Sequence, residues 1–239
     1  MMTSPLEAVR QYFKVSSGMN LPARYNIAPT QPVPVVFKDD RGERALLPMR
    51  WGLVPSWAKE IPAARPLVNA RGEGIAEKPS FRGAYVHRRA IIPANGFYEW
   101  QAQSSGSKQP YFIHLKDEKL FGFAGIWEMW QGPDGENALQ SVAIITKAAY
   151  PELSHLHHRM PIILNEESHQ NWLDGTVEVL DPAIMMSSDE FHWRPISKRV
   201  NKVSQDVADI LTAPLEEESE KEASKACLLY TSDAADDEE

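Results

Sequence analysis

An α+β domain is predicted, on two observations. Seven candidate strands follow one another through the middle of the chain, with turn signals between them. Helical patterning is confined to the two ends, so strands and helices do not alternate as they do in a parallel βαβ sheet. The chain has 239 residues, enough for one sizeable core, and a single domain over residues 1–213 is expected.

The first helix is predicted over residues 4–14. Ser4 suits an N-cap, Pro5 the first helical position and Glu7 a capping box, and Leu6, Val9, Tyr12 and Phe13 mark one apolar face. Gly18 and Pro22 should end it. Residues 33–37 and 44–49 then read as a hairpin about the polar turn Asp39-Asp40-Arg41-Gly42, with prolines that point to edges or bulges. Further strands are expected at residues 89–93, 96–100, 111–115, 121–127 and 141–146, with the Ser104–Ser107 loop between the second and third of these. A short helix capped by Asn165 should cover residues 166–173, and another about 204–211.

Bulk properties exclude several classes. Hydrophobic residues make up 43% and charged residues 24% of the chain, as in soluble globular proteins. No apolar run reaches the ~20 residues that a membrane helix needs. The start, Met1-Met2-Thr3-Ser4-Pro5, has neither the basic residues nor the apolar stretch of a signal peptide. A single cysteine, Cys227, excludes an internal disulfide framework and a multi-cysteine zinc site. A cytoplasmic protein is therefore expected. The net charge of -8 comes from the tail: ten of the 33 acidic and two of the 25 basic residues lie in residues 214–239, which leaves 23 of each before them. Residues 1–213 are thus neutral, and global charge gives no argument against a nucleic-acid partner. The tail itself should be disordered. Its stretch Leu228–Asp236 resembles translated sequencing-adapter read-through, so the end of the chain is expected to be artefactual and Cys227 to carry no function.

Five segments hold residues that could do chemistry, and each also has a structural reading. In Arg24–Thr30, Asn26 before an extended Ala-Pro pair can hold a loop through backbone groups, which describes an ordinary turn equally well. In Arg50–Trp57 two tryptophans bracket Gly52 and Pro55 beside an arginine; the rings either stack on unpaired bases or fill the core. Asn69 and Arg71 share one face of a strand. An amide beside a cation suits a sugar next to a phosphate, or a strand-end network with Glu73. Glu99 lies between Phe97-Tyr98 and Trp100; burial among rings would raise its pKa and fit it for general acid catalysis, whereas a strand-edge ion pair would not. His155, His157 and His158 invite a zinc reading, but neighbouring side chains diverge, and neither a Cys partner nor an HExxH pattern is present. One of them reads better as a proton carrier with Arg159 beside it for an anion. No metal and no cofactor are expected.

Together and in this order, these segments resemble the SOS-response-associated peptidase (SRAP) family, the abasic-site shield proteins. The matching blocks are Arg24–Thr30, Trp51–Trp57, Val68–Glu73, Gly96–Trp100, Leu156–Leu164, Trp193–Ser197 and Val200-Asn201, so the resemblance spans about residues 3–213. It implies a mainly antiparallel, barrel-like β core with flanking helices. It implies a monomer that senses abasic sites in single-stranded DNA in the bacterial cytoplasm, at the nucleoid when bound. Members begin Met-Cys-Gly-Arg-Phe. After loss of Met, the cysteine amine condenses with the sugar aldehyde and the thiol closes a thiazolidine; self-cleavage accounts for the word peptidase. By match to the family motifs, Asn69 would orient the sugar, Glu99 would act as general acid/base and His157 would carry protons. Arg71 would hold a phosphate, Trp51 and Pro55 would wedge against bases, and Arg24, Asn26 and Arg159 complete the DNA-binding set. This chain departs from the pattern, because no Cys-Gly-Arg-Phe stands ahead of Thr3. Two accounts are open. Either the chain begins one short strand late, which is the expectation preferred, or it is a pseudoenzyme that binds single-stranded DNA without linking to it. On either account, no crosslinking is expected from the chain as written.

Overall fold

Two β structures, one of them closed, carry the site, and three short helices cover the closed one. A computed structural model describes residues 1–213 apart from 20–21, 62–64, 105, 134 and 136–137; the expected acidic tail, with Cys227, lies outside the described residues. In chain order the elements are α1 (Leu6–Phe13), β1 (Ser17–Gly18), β2 (Pro32–Lys38), β3 (Arg44–Trp51), β4 (Asn69–Arg71), α2 (Arg82–His87), β5 (Arg89–Ala94), β6 (Phe97–Ala102), β7 (Lys108–Leu115), β8 (Phe121–Trp130), β9 (Leu139–Ala148), β10 (Arg159–Pro161), β11 (Ile163–Leu164), α3 (His169–Asp174) and β12 (Phe191–Pro195).

Strands β3, β2, β5, β8 and β9 pair in that order, each antiparallel to the next. A short parallel pairing of β3 with β9, through Arg50–Ser141 and Trp51–Val142, closes the ring. The expected α+β class with a barrel-like, mainly antiparallel core is what forms. Closure leaves those five strands without a long free edge. Strands β6, β7 and β12 make a separate antiparallel sheet with β7 in the middle.

Alternation along the barrel strands splits the core in two, as a period of two requires. Val36, Leu46, Ile91, Ala124, Ile126, Ala143 and Ile145 pack with Val9 and Phe13 of α1, Tyr85 of α2 and Trp172 of α3. The alternate set, including Val35, Met49, Ile92, Phe123 and Ile144, packs with Ile113, Leu115 and Phe191 of the small sheet. The prolines of β2 fit their expected role. β2 meets β5 only at Val36 and Phe37, so Pro32 and Pro34 lie on the stretch with no neighbour on that side.

Both end helices differ from expectation. α1 starts at Leu6, with Pro5 in the cap position and no side-chain cap bond. Ser4 is taken by a distant partner: its hydroxyl and its backbone N–H both donate to Asn95 Oδ1, at 3.2 and 3.1 Å. The helix stops at Lys14, which is left-handed with φ 53°, rather than at Gly18 or Pro22. Gly18 lies in β1 instead. Asn165 caps as expected, accepting from Ser168 N–H at 3.0 Å, and a 3-10 turn leads into α3. The helix expected at about 204–211 is only a 3-10 turn over Ala208–Leu211. Asp206, inside the expected span, is drawn out to accept from the backbone N–H groups of Tyr25 and Asn26 at 2.6 and 2.9 Å.

His169 in α3 carries a stability consequence. It is 2% exposed, stacks on Phe13 with centroids 5.1 Å apart, and its Nε2 has no hydrogen-bond partner. Burial, with Arg44 and Lys14 adding to it, lowers its pKa from 6.5 to about 4. Between those values the unfolded chain takes up a proton that the folded chain refuses, so stability falls as pH drops through that window. The cost by pH 4.5 is about 2 kcal/mol. Urea unfolding at pH 7 and 4.5 checks this: His169→Leu should lose less stability on acidification than the parent chain by about that amount. Equal losses in the two would remove the assignment.

Candidate active site

One cavity of about 520 Å³ opens where the closed barrel meets the small sheet. Its floor is apolar: Val33, Ile92, Phe123 and Ile144 come from four barrel strands. Its polar groups converge from six separate segments, namely Asn26, Asn69, Glu99, Thr146, His157 with Arg159, and Asn201. An apolar concavity with a few convergent polar groups is the usual form of a ligand site.

Each side chain is placed by its strand. β4 runs parallel to β9, pairing Asn69 with Ile144 and Arg71 with Thr146. Asn69 and Arg71 are both exposed, with buried Ala70 between them, so they do share a face. Only Asn69 lines the cavity. Glu99 lies in β6 opposite Tyr111 of β7. Its sequence neighbours Tyr98 and Trp100 point the other way and pack with Met1 and Phe112. Glu99 is therefore buried where sheet meets barrel, on the face it shares with Phe97, and the two rings next to it in sequence are not the cause. Burial pushes its pKa up to about 7, and His157 pulls it the other way. Glu99 Oε2 lies 3.9 Å from His157 Nδ1. A carboxyl titrating near neutrality beside an imidazole can both give and take a proton.

Other expected residues fall in different places. Trp51 forms part of the wall, its Nε1 donating to Val68 O at 3.0 Å. Trp57 is the outward ring, 66% exposed. Pro55 is buried and, like Arg24 and Arg71, lies off the cavity lining. Arg24 pairs with Asp206 and donates to Gln31 at 2.9 Å. Asn26 lines the cavity, but its amide is spent on structure, donating to the carbonyls of Val200, Lys202 and Gln205 at 2.9, 3.2 and 3.2 Å. Arg159 lines the cavity with its guanidinium on Glu73 and Thr146. The histidine run spreads out: the His155 ring meets Trp193, and His158 lies against His157. Among the described residues no group of three or more His, Cys, Asp or Glu is arranged to hold a metal ion. Nor is any helix among them long and apolar enough to cross a membrane.

Three parts of the site were not read from sequence. Asp206 anchors residues 24–26 to the segment that supplies Val200 and Asn201, across a separation of some 180 residues. Asn201 accepts from Trp100 Nε1 at 2.7 Å, which ties β6 to that segment. Met1 lies in the wall, its amine donating to Gly96 O at 2.9 Å, and burial lowers the pKa of that amine to about 5. No local pattern announces contacts of this range; only the isolated Val200-Asn201 match hinted at one of them.

Comparison with known proteins agrees with this architecture. A solved protein structure from Bacteroides thetaiotaomicron superposes with a TM-score of 0.76 at 26% identity, covering 90% of this chain and 98% of that one. Abasic site processing protein YoqW of Bacillus subtilis is 39% identical over 183 residues, 74% of this chain and 80% of its own. Abasic site processing protein HMCES of Gallus gallus is 34% identical over 224 residues, 80% of this chain and 66% of its own. The model of one family, described as SOS response associated peptidase (SRAP), matches residues 1–203, and the chain belongs to that family.

Proposed function

We propose that this protein processes abasic sites in single-stranded DNA, with the open-chain sugar aldehyde held in the cavity between barrel and small sheet. One observation carries the reading: the N-terminal segment is routed into the same cavity as Asn69, Glu99 and His157. A residue joined ahead of Met1 would start from that wall, at Gly96. An N-terminal cysteine there would attack the aldehyde carbon through its amine. Loss of water from the carbinolamine gives an imine, and the leaving oxygen needs a proton. Glu99, titrating near pH 7, supplies it, and His157, 3.9 Å away, returns it by way of one water. The thiol then adds to the same carbon and its proton passes to the nitrogen, which closes a thiazolidine. Asn69 orients the sugar from β4. Arg71, exposed one step beyond the rim, meets a flanking phosphate, and the exposed Trp57 stacks on a base.

The test uses a single-stranded oligonucleotide with one abasic site, heated before gel analysis. The chain as it stands should give no heat-stable adduct. The chain carrying Met-Cys-Gly-Arg-Phe ahead of Thr3 should give one. Absence of adduct from the extended chain rejects the reading. A specific observation favours one alternative, non-covalent binding: Trp57 and Arg71 face solvent outside the cavity. That alternative predicts equal, strongly salt-dependent affinity for intact and abasic strands.

A further inference from the structure

We infer that Asn95 is a positioning residue for the N-terminal nucleophile: its side chain grips residues 3 and 4 and so registers the segment that enters the cavity against the strand that carries Glu99. The inference rests on the reading of the N-terminus as the nucleophile of the site.

Asn95 and Gly96 join β5 of the barrel to β6 of the small sheet. The same two residues hold the start of the chain. The Met1 amine donates to Gly96 O at 2.9 Å, and Asn95 N–H donates to Met1 O at 3.1 Å. Met2 turns the other way and exchanges both backbone bonds with Arg24, at 2.8 and 2.7 Å. That pairing is an isolated bridge and does not extend into a ladder. Past it, the N–H groups of Thr3 and Ser4 return to Asn95, and both donate to its Oδ1, at 2.9 and 3.1 Å. A carbonyl oxygen has two lone pairs, so one amide oxygen can satisfy both. Asn95 therefore holds the segment on each side of the Arg24 bridge, through its backbone ahead of it and through its side chain after it.

The amide is itself fixed. Asn95 is 5% exposed, and its Nδ2 donates to Ser4 Oγ at 2.8 Å and to Glu118 O at 3.0 Å. Glu118 belongs to the 3-10 turn between β7 and β8, so the small sheet and the barrel both bear on the side chain. Asn95 does not line the cavity; it acts only through the segment it holds. The consequence is one of register. The chain enters the cavity beside Gly96, and Glu99 lies three residues further along the same stretch of backbone. Nucleophile and acid are thus referred to one short link. A bridge at Met2 alone would let the segment pivot, and small displacements of a reacting group cost rate steeply.

The test compares Asn95→Ala, which removes the acceptor, with Asn95→Asp, which keeps it and gives up the two Nδ2 donations. Unfolding temperatures establish that each is folded; should Asn95→Ala not fold, Asn95→Ser replaces it, its hydroxyl being too short to reach both N–H groups. In the cysteine-bearing chain, Asn95→Ala should form adduct about tenfold more slowly at saturating abasic DNA. The half-saturating DNA concentration should stay within about twofold of the parent, since no group that binds DNA is changed. Asn95→Asp should recover most of the rate. A second readout needs no adduct. In the chain that starts at Met1, burial holds the amine at about 5, with Asp206 and Arg24 acting on it in opposite senses. Carbon shifts of Met1 followed through a pH titration should show that value rising towards 8 in Asn95→Ala, as the segment loosens and water reaches the amine. A parent rate in Asn95→Ala, an unmoved amine, or Asn95→Asp as slow as Asn95→Ala overturns the inference. Failure of the underlying reading looks different: the cysteine-bearing parent would give no adduct at all, while the Met1 amine still responded to Asn95→Ala.

Discussion

Glu99→Gln is expected to make the protein more stable and less reactive at once. The folded-state pKa of Glu99 is raised from 4.5 to about 7, chiefly by burial. Between those values the folded chain keeps a proton that the unfolded chain has released. The stability this contributes is fully present below pH 4.5 and is lost as pH rises through 7. Glutamine copies the neutral carboxyl at every pH. Urea unfolding should therefore find the variant level with the parent at pH 4 and ahead by about 2 kcal/mol at pH 8. The figure is kept below the full value of the shift because the Glu99 side chain keeps 21% of its surface in solvent, which screens part of the cost. In the cysteine-bearing chain, the same change should slow adduct formation by roughly 10²–10⁴-fold, the ordinary worth of a general acid or base. The two readouts moving in opposite directions would mark a group kept buried for chemistry at a cost in stability. A variant no more stable at pH 8, with an undiminished rate, would leave Glu99 as a structural carboxyl and remove the mechanism proposed above.

How far the site could be read in advance depended on the range of the contact. Glu99 stood out because a carboxylate among Phe97, Tyr98 and Trp100 promised burial. The promise was met in part as expected, since Phe97 shares the Glu99 face at the barrel junction, whereas Tyr98 and Trp100 pack in the other cluster. Asn69 and Arg71 were placed on one face by strand periodicity alone, and the three-residue β4 keeps that spacing. Nothing in the periodicity could say that only Asn69 reaches the cavity, because the other walls come from segments distant in sequence. The hairpin of β2 and β3 was legible from its turn, and Asp39 Oδ1 does organise that turn, accepting from the N–H groups of Arg41 and Glu43 at 2.9 and 3.0 Å. The capping signal at Ser4 misled because a distant side chain, Asn95, offered the same hydroxyl a better-placed partner. Local rules fail where tertiary contacts compete for the same polar group. Asp206 shows the same limit from the other side: an acidic residue in an unremarkable segment becomes the anchor of a cavity wall.

The largest single loss of stability is expected from Gly96→Ala, and the reason lies where barrel and small sheet join. Gly96 sits between β5 and β6, on the wall of the cavity. A Cβ at position 96 would lie 2.1 and 2.5 Å from two ring carbons of Phe112, and 2.9 Å from Ile113 O. The Phe112 ring has no room to yield. It is fully buried, with Tyr98 and His114 centroids at 5.7 and 4.9 Å and the Arg194 guanidinium at 5.4 Å. The backbone of β6 must move instead, and Glu99 lies three residues along it. The cost should be about 3 kcal/mol, the upper end of ordinary overpacking. Gly125→Ala makes the control. Its Cβ would come equally close to Ile92, at 2.2 Å, but against the end of a flexible side chain that can turn, although Ala143 O stands 3.1 Å away. There the cost should be about 1 kcal/mol. Urea unfolding of both variants at one pH decides between them. If Gly96→Ala proves no worse than Gly125→Ala, then the Phe112 ring is free to shift, and the small sheet is not held against the barrel as rigidly as these contacts require. If the order is as expected, the cysteine-bearing Gly96→Ala chain should also form adduct more slowly while still folded, because the same displacement carries Glu99 away from His157 and the 3.9 Å approach on which proton return depends is lost.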